Sequence, residues 1–463
     1  MRQKLVSVLT ICLLLLAATG CSNDDKKAGE LLKSVPADAQ LTVLFNLEKI
    51  NEGAGNKVSN SGVEYSGAFT SLVQQSEDRD LINALLKNGA MEQSVAVLFT
   101  YRGHNYISGY VAIPDKFRAA VEKWQGSVFK KDDKLKLEAC NKVVIKDNRF
   151  WIVDNLMDID LIPGFIDQEE KQSMAGIAYA DELSDMDHDV TGLAATSAYM
   201  GGEAELLSQL VFQDLQYIGF EGDSDTGEFE VECRLLTSSF ENATVAVPLG
   251  KINLDVVKKI PGKCAAVFAF ALTDDMEKHM ESLKGDNMVY NIVLGMLKNI
   301  SGTVAVGIPS VAPAAYSDTS MPGCAIAIEC RDKKSAADLR SQLKTLFANT
   351  AEVSADGKIV TMKTALMPGE FGVSDHLKDI KGASMAFVCG PEAFRQAVDS
   401  PCPLSDLVVT FKEDSKSSVI EASLYTANSK ENAIGAILCF IDMRNKATAK
   451  RNAAAVVPAA AEK

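Results

Sequence analysis

Histidine is scarce in this chain: four stand among 463 residues, and none forms an H-E-x-x-H pair. That excludes the common zinc-hydrolase helix and leaves little material for a Ser-His-Asp arrangement. No C-x-x-C pair occurs, which removes the usual cysteine spacing for zinc. A G-x-S-x-G elbow, a P-loop and a G-x-G-x-x-G after a strand are equally absent. Positive charge is short as well, with 47 Lys and Arg against 62 Asp and Glu and a net charge of -15. Nucleic acid and anionic lipid are therefore excluded as partners, because both need clustered Lys and Arg. Beyond residue 20 no apolar run approaches the roughly 18 to 20 residues of a spanning helix.

What is present begins at the N-terminus. Arg2 and Lys4 precede an apolar stretch over residues 5–17, broken only by Ser7, Thr10 and Cys12, and Ala18-Thr19-Gly20-Cys21 follows. This is the layout of a secretory signal over residues 1–20. Its small-small-Cys ending resembles a bacterial lipobox, which implies cleavage before Cys21 and acylation of that cysteine. Ala18 stands where the box usually has leucine, and an ordinary signal peptide with a coincidental cysteine is the alternative. Acyl chains, at roughly 0.8 kcal/mol per buried methylene, would anchor the chain to a membrane without spanning it. Loss of Arg2 and Lys4 with the leader takes the charge from -15 to -17.

Residues 21–30 read as an acidic tether. Ser22, Asn23, Asp24 and Asp25 resemble the export signal of Bacteroidetes lipoproteins, which implies an outer-membrane protein facing the cell surface. A plain solvated tether on a periplasm-facing lipoprotein is the alternative. Of ten cysteines, eight remain after Cys12 and Cys21, most of them inside apolar alternation such as Phe387-Val388-Cys389. They read as buried free thiols rather than a disulfide framework.

Order along the chain suggests two copies of one unit. Lys33-Ser34-Val35-Pro36 leads into an apolar strand from Leu41, and Lys258-Lys259-Ile260-Pro261 into one from Ala265. Leu86-Lys87-Asn88 precedes Ser94-Val95-Ala96-Val97, and Leu297-Lys298-Asn299 precedes Thr303-Val304-Ala305-Val306. Lys142-Val143-Val144-Ile145-Lys146 answers to residues 358–363, and Glu241-Asn242-Ala243 to Glu431-Asn432-Ala433. Phe117, Val121 and Trp124 recur at helical spacing after Pro114, as do Ala336, Leu339, Leu343 and Leu346. Segments 216–236 and 407–425 alternate as hairpins with one buried and one wet face. The expected architecture is α+β: two tandem related domains, 31–250 and 251–446, each a mainly antiparallel sheet with packed helices. The seam is expected near Pro248-Leu249-Gly250, and residues 447–463, rich in Ala and Lys, as a frayed tail.

Candidate metal ligands lie in two loops. Asp185, Asp187, His188 and Asp189 crowd one, although a solvated acidic loop has the same composition. Asp223 and Asp225 before Gly227 resemble the opening of a calcium loop, but the third ligand and the terminal bidentate Glu are missing, and a hairpin turn needs the same residues. His104, His279 and His376 stand alone in sequence. Met276, Met280, Met288 and Met296 line one helical region that reads as core or as an apolar groove. No cofactor is called for.

The leader, the start Cys21-Ser22-Asn23-Asp24-Asp25 and the opening Val35-Pro36-Ala37-Asp38-Ala39 before a strand ending in Asn46-Leu47 resemble an uncharacterised lipoprotein family of Bacteroidetes. That family carries a domain of unknown function in long two-part lipoproteins. The resemblance brings no catalytic residues, and the second copy departs from it with Gly262-Lys263-Cys264 in place of Ala37-Asp38-Ala39. The expected function is a non-enzymatic binding or structural role in the envelope, with a protein or ligand partner. A carboxylate-based hydrolase of glycan or peptide and a carrier of hydrophobic molecules are the alternatives.

Overall fold

The computed structural model describes residues 24–456 apart from 60–61, 77, 133–135, 200–211, 247–248, 261–263, 276–277, 280–294, 309–322, 349, 365–374, 396, 399–400 and 414–417. Cys21, Ser22 and Asn23 lie outside the described residues, as do Pro248 and most of the Met-rich segment. The described chain forms two compact units: residues 24–199, 215–241 and 428–442 make the first, and 212–214, 242–427 and 443–456 the second. Both combine helices with antiparallel sheet, an α+β arrangement. Among the described residues no helix is long and apolar enough to cross a membrane.

The first unit opens with α1 (Asp24–Leu32) and β1 (Leu41–Asn46). Next come α2 (Gly67–Gln75), α3 (Arg79–Leu85), β2 (Val95–Tyr101), β3 (His104–Tyr110) and α4 (Pro114–Gln125). Strands β4 (Leu137–Cys140), β5 (Val143–Lys146), β6 (Arg149–Val153), β7 (Val190–Ala195), β8 (Tyr217–Ser224) and β9 (Glu228–Leu236) complete it. They pair antiparallel in the order β9-β8-β7-β1-β2-β3-β6-β5-β4. Val95, Ala96 and Val97 are consecutively buried, the sign of a strand covered on both faces. Phe69, Ile82, Phe117 and Val121 of α2, α3 and α4 pack on one face with Ile107, Phe150 and Ile152. On the other, Leu31 and Leu32 of α1, with Ile162 and Phe165, meet Leu44, Phe99, Tyr106 and Trp151. Trp124 is only partly buried and turns its indole N–H to Asp78 Oδ1 at 2.9 Å.

The tether reading stops at residue 23, because the next nine residues are α1. Asp24 and Asp25 occupy its first turn, where carboxylates complement the helix dipole, and Ala28, Leu31 and Leu32 form a fully buried i, i+3, i+4 stripe. Burial of each leucine is worth about 1.5–3 kcal/mol. Polar contacts fix the rest of the helix. Lys27 pairs with Glu92 and donates to Ser94 Oγ at 3.1 Å, Tyr110 donates to the Lys27 carbonyl at 3.0 Å, and Asp25 Oδ1 accepts the Met186 amide at 3.0 Å.

The second unit contains β10 (Ala266–Leu272), β11 (Ile300–Ile308), β12 (Ala325–Cys330), α5 (Lys333–Phe347), β13 (Ala351–Asp356), β14 (Ile359–Thr364), β15 (Met385–Cys389), β16 (Leu404–Glu413) and β17 (Ser418–Thr426). They pair antiparallel in the order β17-β16-β15-β10-β11-β12-β14-β13. Ala336, Leu339 and Leu343 of α5 are buried against one face, while Leu346 is exposed and Phe347, one residue on, packs instead. Ala269, Ala271, Ala305, Ala325 and Ala327 lie on the opposite face with Val256, Val257 and Ile380.

Two boundaries differ from expectation. Residues 428–442 belong to the first unit rather than the second, because Ile434 and Leu438 are buried in its core and the Gly227 amide donates to the Glu431 carbonyl at 2.8 Å. Residues 447–456 of the Ala/Lys tail continue α6 (Ala433–Val456), since alanine has the highest helix propensity and no proline intervenes before Pro458, while 457–463 lie outside the described residues. Cys140, Cys233, Cys264, Cys324, Cys330 and Cys389 are free thiols, with Cys140, Cys330 and Cys389 buried. Burial pushes the Cys330 and Cys389 thiols up to about 11.

Two measurements check this packing. Leu31→Ala is expected to cost about 2–5 kcal/mol in urea unfolding, whereas an unchanged midpoint would mean that α1 is not docked. With iodoacetamide at pH 8, Cys330 and Cys389 should stay unlabelled in the native chain and react once guanidinium is added; equal labelling in both states would contradict their burial.

Candidate functional site

The two acidic loops flagged in sequence meet because β7 and β8 are antiparallel neighbours with Val190 opposite Gly222. His188 Nδ1 lies 2.7 Å from Asp223 Oδ2, and Nε2 lies 3.6 Å from Glu221 Oε2. Glu221 stands directly opposite Glu232, a like-charge pair that Arg234 bridges with contacts of 3.1 and 3.2 Å. Asp189 is buried and accepts both the amide and the hydroxyl of Ser224. Burial raises its pKa against those hydrogen bonds.

The six candidate ligands of these loops do not converge on one centre. Asp185 Oδ1 accepts the Asp187 amide at 2.9 Å, and Asp225 Oδ1 accepts the Thr226 amide at 2.6 Å. The first is a turn-forming bond two residues on, and the second joins adjacent residues of the β8–β9 turn. Gly227, at φ +94°, completes the hairpin turn that the calcium-like motif sits on. What sequence separated and the fold unites is His188 with Asp223, an ion-pair network of five charged side chains from Glu221 to Arg234 and Glu232.

A second cluster was missed in sequence, where His104 stands alone. The β2–β3 hairpin turns through Arg102 and Gly103, both at positive φ (51° and 79°), a two-residue reversal that glycine favours. That turn presents His104 at the start of β3. Asp154 follows β6, the next strand, and Asp158 lies four residues on in the short 3-10 helix Leu156–Leu161. His104 Nδ1 is 3.6 Å from Asp154 Oδ1 and 3.2 Å from Asp158 Oδ2, and one ligand atom from each residue lies within 4.8 Å of the others. Asn105 fixes Asp154 by donating its amide (3.2 Å) and Nδ2 (3.1 Å) to Oδ2. Asn155 caps the 3-10 helix through the Met157 amide. Asp158 is 7% exposed, and burial raises its pKa despite His104.

His376 stacks on Tyr425 at 3.7 Å and contacts Asp379 at 2.9 Å. An open groove of about 880 Å³ is lined by Asp80, Leu81, Asn88, Lys116, Lys123 and Trp124. Met296 packs beside the core of the second unit, whereas Met276, Met280 and Met288 lie outside the described residues.

No family model and no curated protein matches this chain. A solved structure described as crystal form I of TP0453 is similar at 9% identity and a TM-score of 0.29, over 49% of this chain and 82% of that one.

At His188 burial lowers the pKa, but the hydrogen bond to Asp223 and the charges of Asp223, Glu221 and Asp185 outweigh it, so the net shift is upward. The stability it contributes is present below the unfolded value near 6.5 and lost as pH rises through the raised folded value. His188→Gln should therefore destabilise the chain at pH 5.5, by a few tenths to about 1 kcal/mol after solvent screening, and much less at pH 9. Urea midpoints that differ equally from wild type at both pH values would contradict the ion pair.

Proposed function

We propose that this chain is an outer-membrane lipoprotein acylated at Cys21, made of two copies of one α+β unit, with a binding or structural role in the envelope. The observation that carries this reading is α1. Only Ser22 and Asn23 separate Cys21 from a helix whose apolar stripe is fully buried. At roughly 3.3–3.6 Å per residue that leash reaches about 10 Å, so an acylated Cys21 would hold the folded body against the membrane.

Duplication is supported by the strand order. With β1, β2, β3, β6, β5, β7, β8 and β9 matched to β10, β11, β12, β14, β13, β15, β16 and β17, the same pairing sequence runs through both units. The helix Leu254–Val257 before β10 corresponds to α1 before β1. One sequence match is thereby reassigned: β14, at residues 359–364, takes the place of β6, not that of β5. Surface display is supported by the resemblance of Ser22 to Asp25 to an export signal.

Native mass spectrometry of the lipoprotein, extracted in mild detergent from its own cells, tests the binding role. A mass beyond that of the acylated chain, absent after Cys21→Ser or separable from it as a defined component, is expected. A bare acylated monomer would contradict stable binding, and an unacylated one would contradict anchoring. For export, Asp24→Asn with Asp25→Asn removes both charges yet keeps an acceptor for the Met186 amide. Protease shaving of intact cells should fall at unchanged total protein; unchanged shaving would remove the surface reading.

A further inference from the structure

We infer that His104, Asp154 and Asp158 form a binding site for a first-row divalent cation of the zinc class, with the Tyr106 hydroxyl beside it. The argument starts from what is left without a partner. Tyr106 is fully buried and its hydroxyl makes no hydrogen bond. Its ring is locked by stacking on Phe99 at 4.8 Å and by the edge of Phe165 at 5.4 Å, so the hydroxyl cannot swing out to water. Tyr106 lies two residues along β3 from His104, so the two side chains leave the strand on the same face. Asp154 Oδ1 and Asp158 Oδ2 are also without hydrogen bonds. A buried hydroxyl left unpaired costs about as much as a lost hydrogen bond, and Asp154 Oδ1 and Asp158 Oδ2 have His104 as their ionic contact among the described residues.

Charge argues the same way. Among the described residues no lysine or arginine comes within ion-pair distance of either carboxylate, and His104 is their shared contact. Lys142, close by, donates to the Asp154 backbone carbonyl at 2.6 Å instead. Arg102 stacks over the Tyr101 ring at 5.1 Å.

Geometry and donor type then select the ligand. A tetrahedral cation with bonds of about 2.0–2.2 Å sets donor atoms about 3.4 Å apart, and His104 Nδ1 lies 3.2 and 3.6 Å from its two carboxylate neighbours. One imidazole with two carboxylates suits zinc, manganese or iron rather than calcium, which takes about 6–8 oxygens. The double donation of Asn105 to Asp154 is the outer support that ligating carboxylates usually have. Three protein ligands leave a position for water or a ligand atom, and the Tyr106 hydroxyl supplies a hydrogen bond to it.

The test titrates zinc into the chain from residue 21 with Cys21→Ser, by calorimetry, with calcium as the control cation. One saturable zinc site is expected. His104→Gln and Asp158→Asn should each weaken it about tenfold or more, with folding checked by circular dichroism, while His188→Gln leaves it unchanged. Tyr106→Phe provides a second readout: the metal-free variant should be at least as stable as wild type, and its stabilisation by zinc smaller. Absence of saturable binding, binding equal in His104→Gln and wild type, or a site lost only in His188→Gln would each overturn the proposal.

Discussion

Packing on one face of the first unit's sheet is the constraint on which both functional readings rest. Phe99, Tyr106 and Phe165 interlock there, with Leu44, Trp151 and Val153 beside them, and the same layer receives Ala28, Leu31 and Leu32 of α1. Each aromatic pair adds about 0.5–1.5 kcal/mol beyond area burial. The layer packs α1 onto the sheet, and it also immobilises Tyr106, two residues along β3 from His104. A single core thus holds both α1 and the strand that carries His104.

Periodic segments were legible because their chemistry is local. Phe117 and Val121, Leu339 and Leu343, and the hairpins β8–β9 and β16–β17 follow from spacing alone. α1 was not legible, since Asp24, Asp25, Lys26 and Lys27 read as solvated and the apolar stripe is only three residues wide. Its helical form is decided by what it lands on, a tertiary effect that composition does not carry. The continuation of α6 through the alanine-rich tail was missed for the opposite reason: a composition that reads as frayed is also the best helix former.

The sites follow the same division. His188 and Asp223 are 35 residues apart and meet only through strand pairing, yet once β7 and β8 are known to be neighbours, their loops must share one end of the sheet. His104 and Asp154 are joined by the β3–β6 pairing, which places Tyr106 opposite Val153 and so brings the start of one strand to the end of the other. A single sequence holds no sign of that pairing. The clue it does hold is Asp154 with Asp158, spaced to fall on one side of a helical turn after a buried strand.

In the second unit a short helix before the first strand packs Val256 and Val257 against an alanine-rich sheet face. The fully buried stripe Ala28, Leu31 and Leu32 makes α1 part of the first unit's core and not a linker. Hydrogen exchange of the acylated protein in its own membranes tests this most directly. Amides 28–32, the ones bonded within the helix, should exchange as slowly as those of β2. Exchange at the rate of an open chain would show that the helix is undocked and would contradict its place in that core.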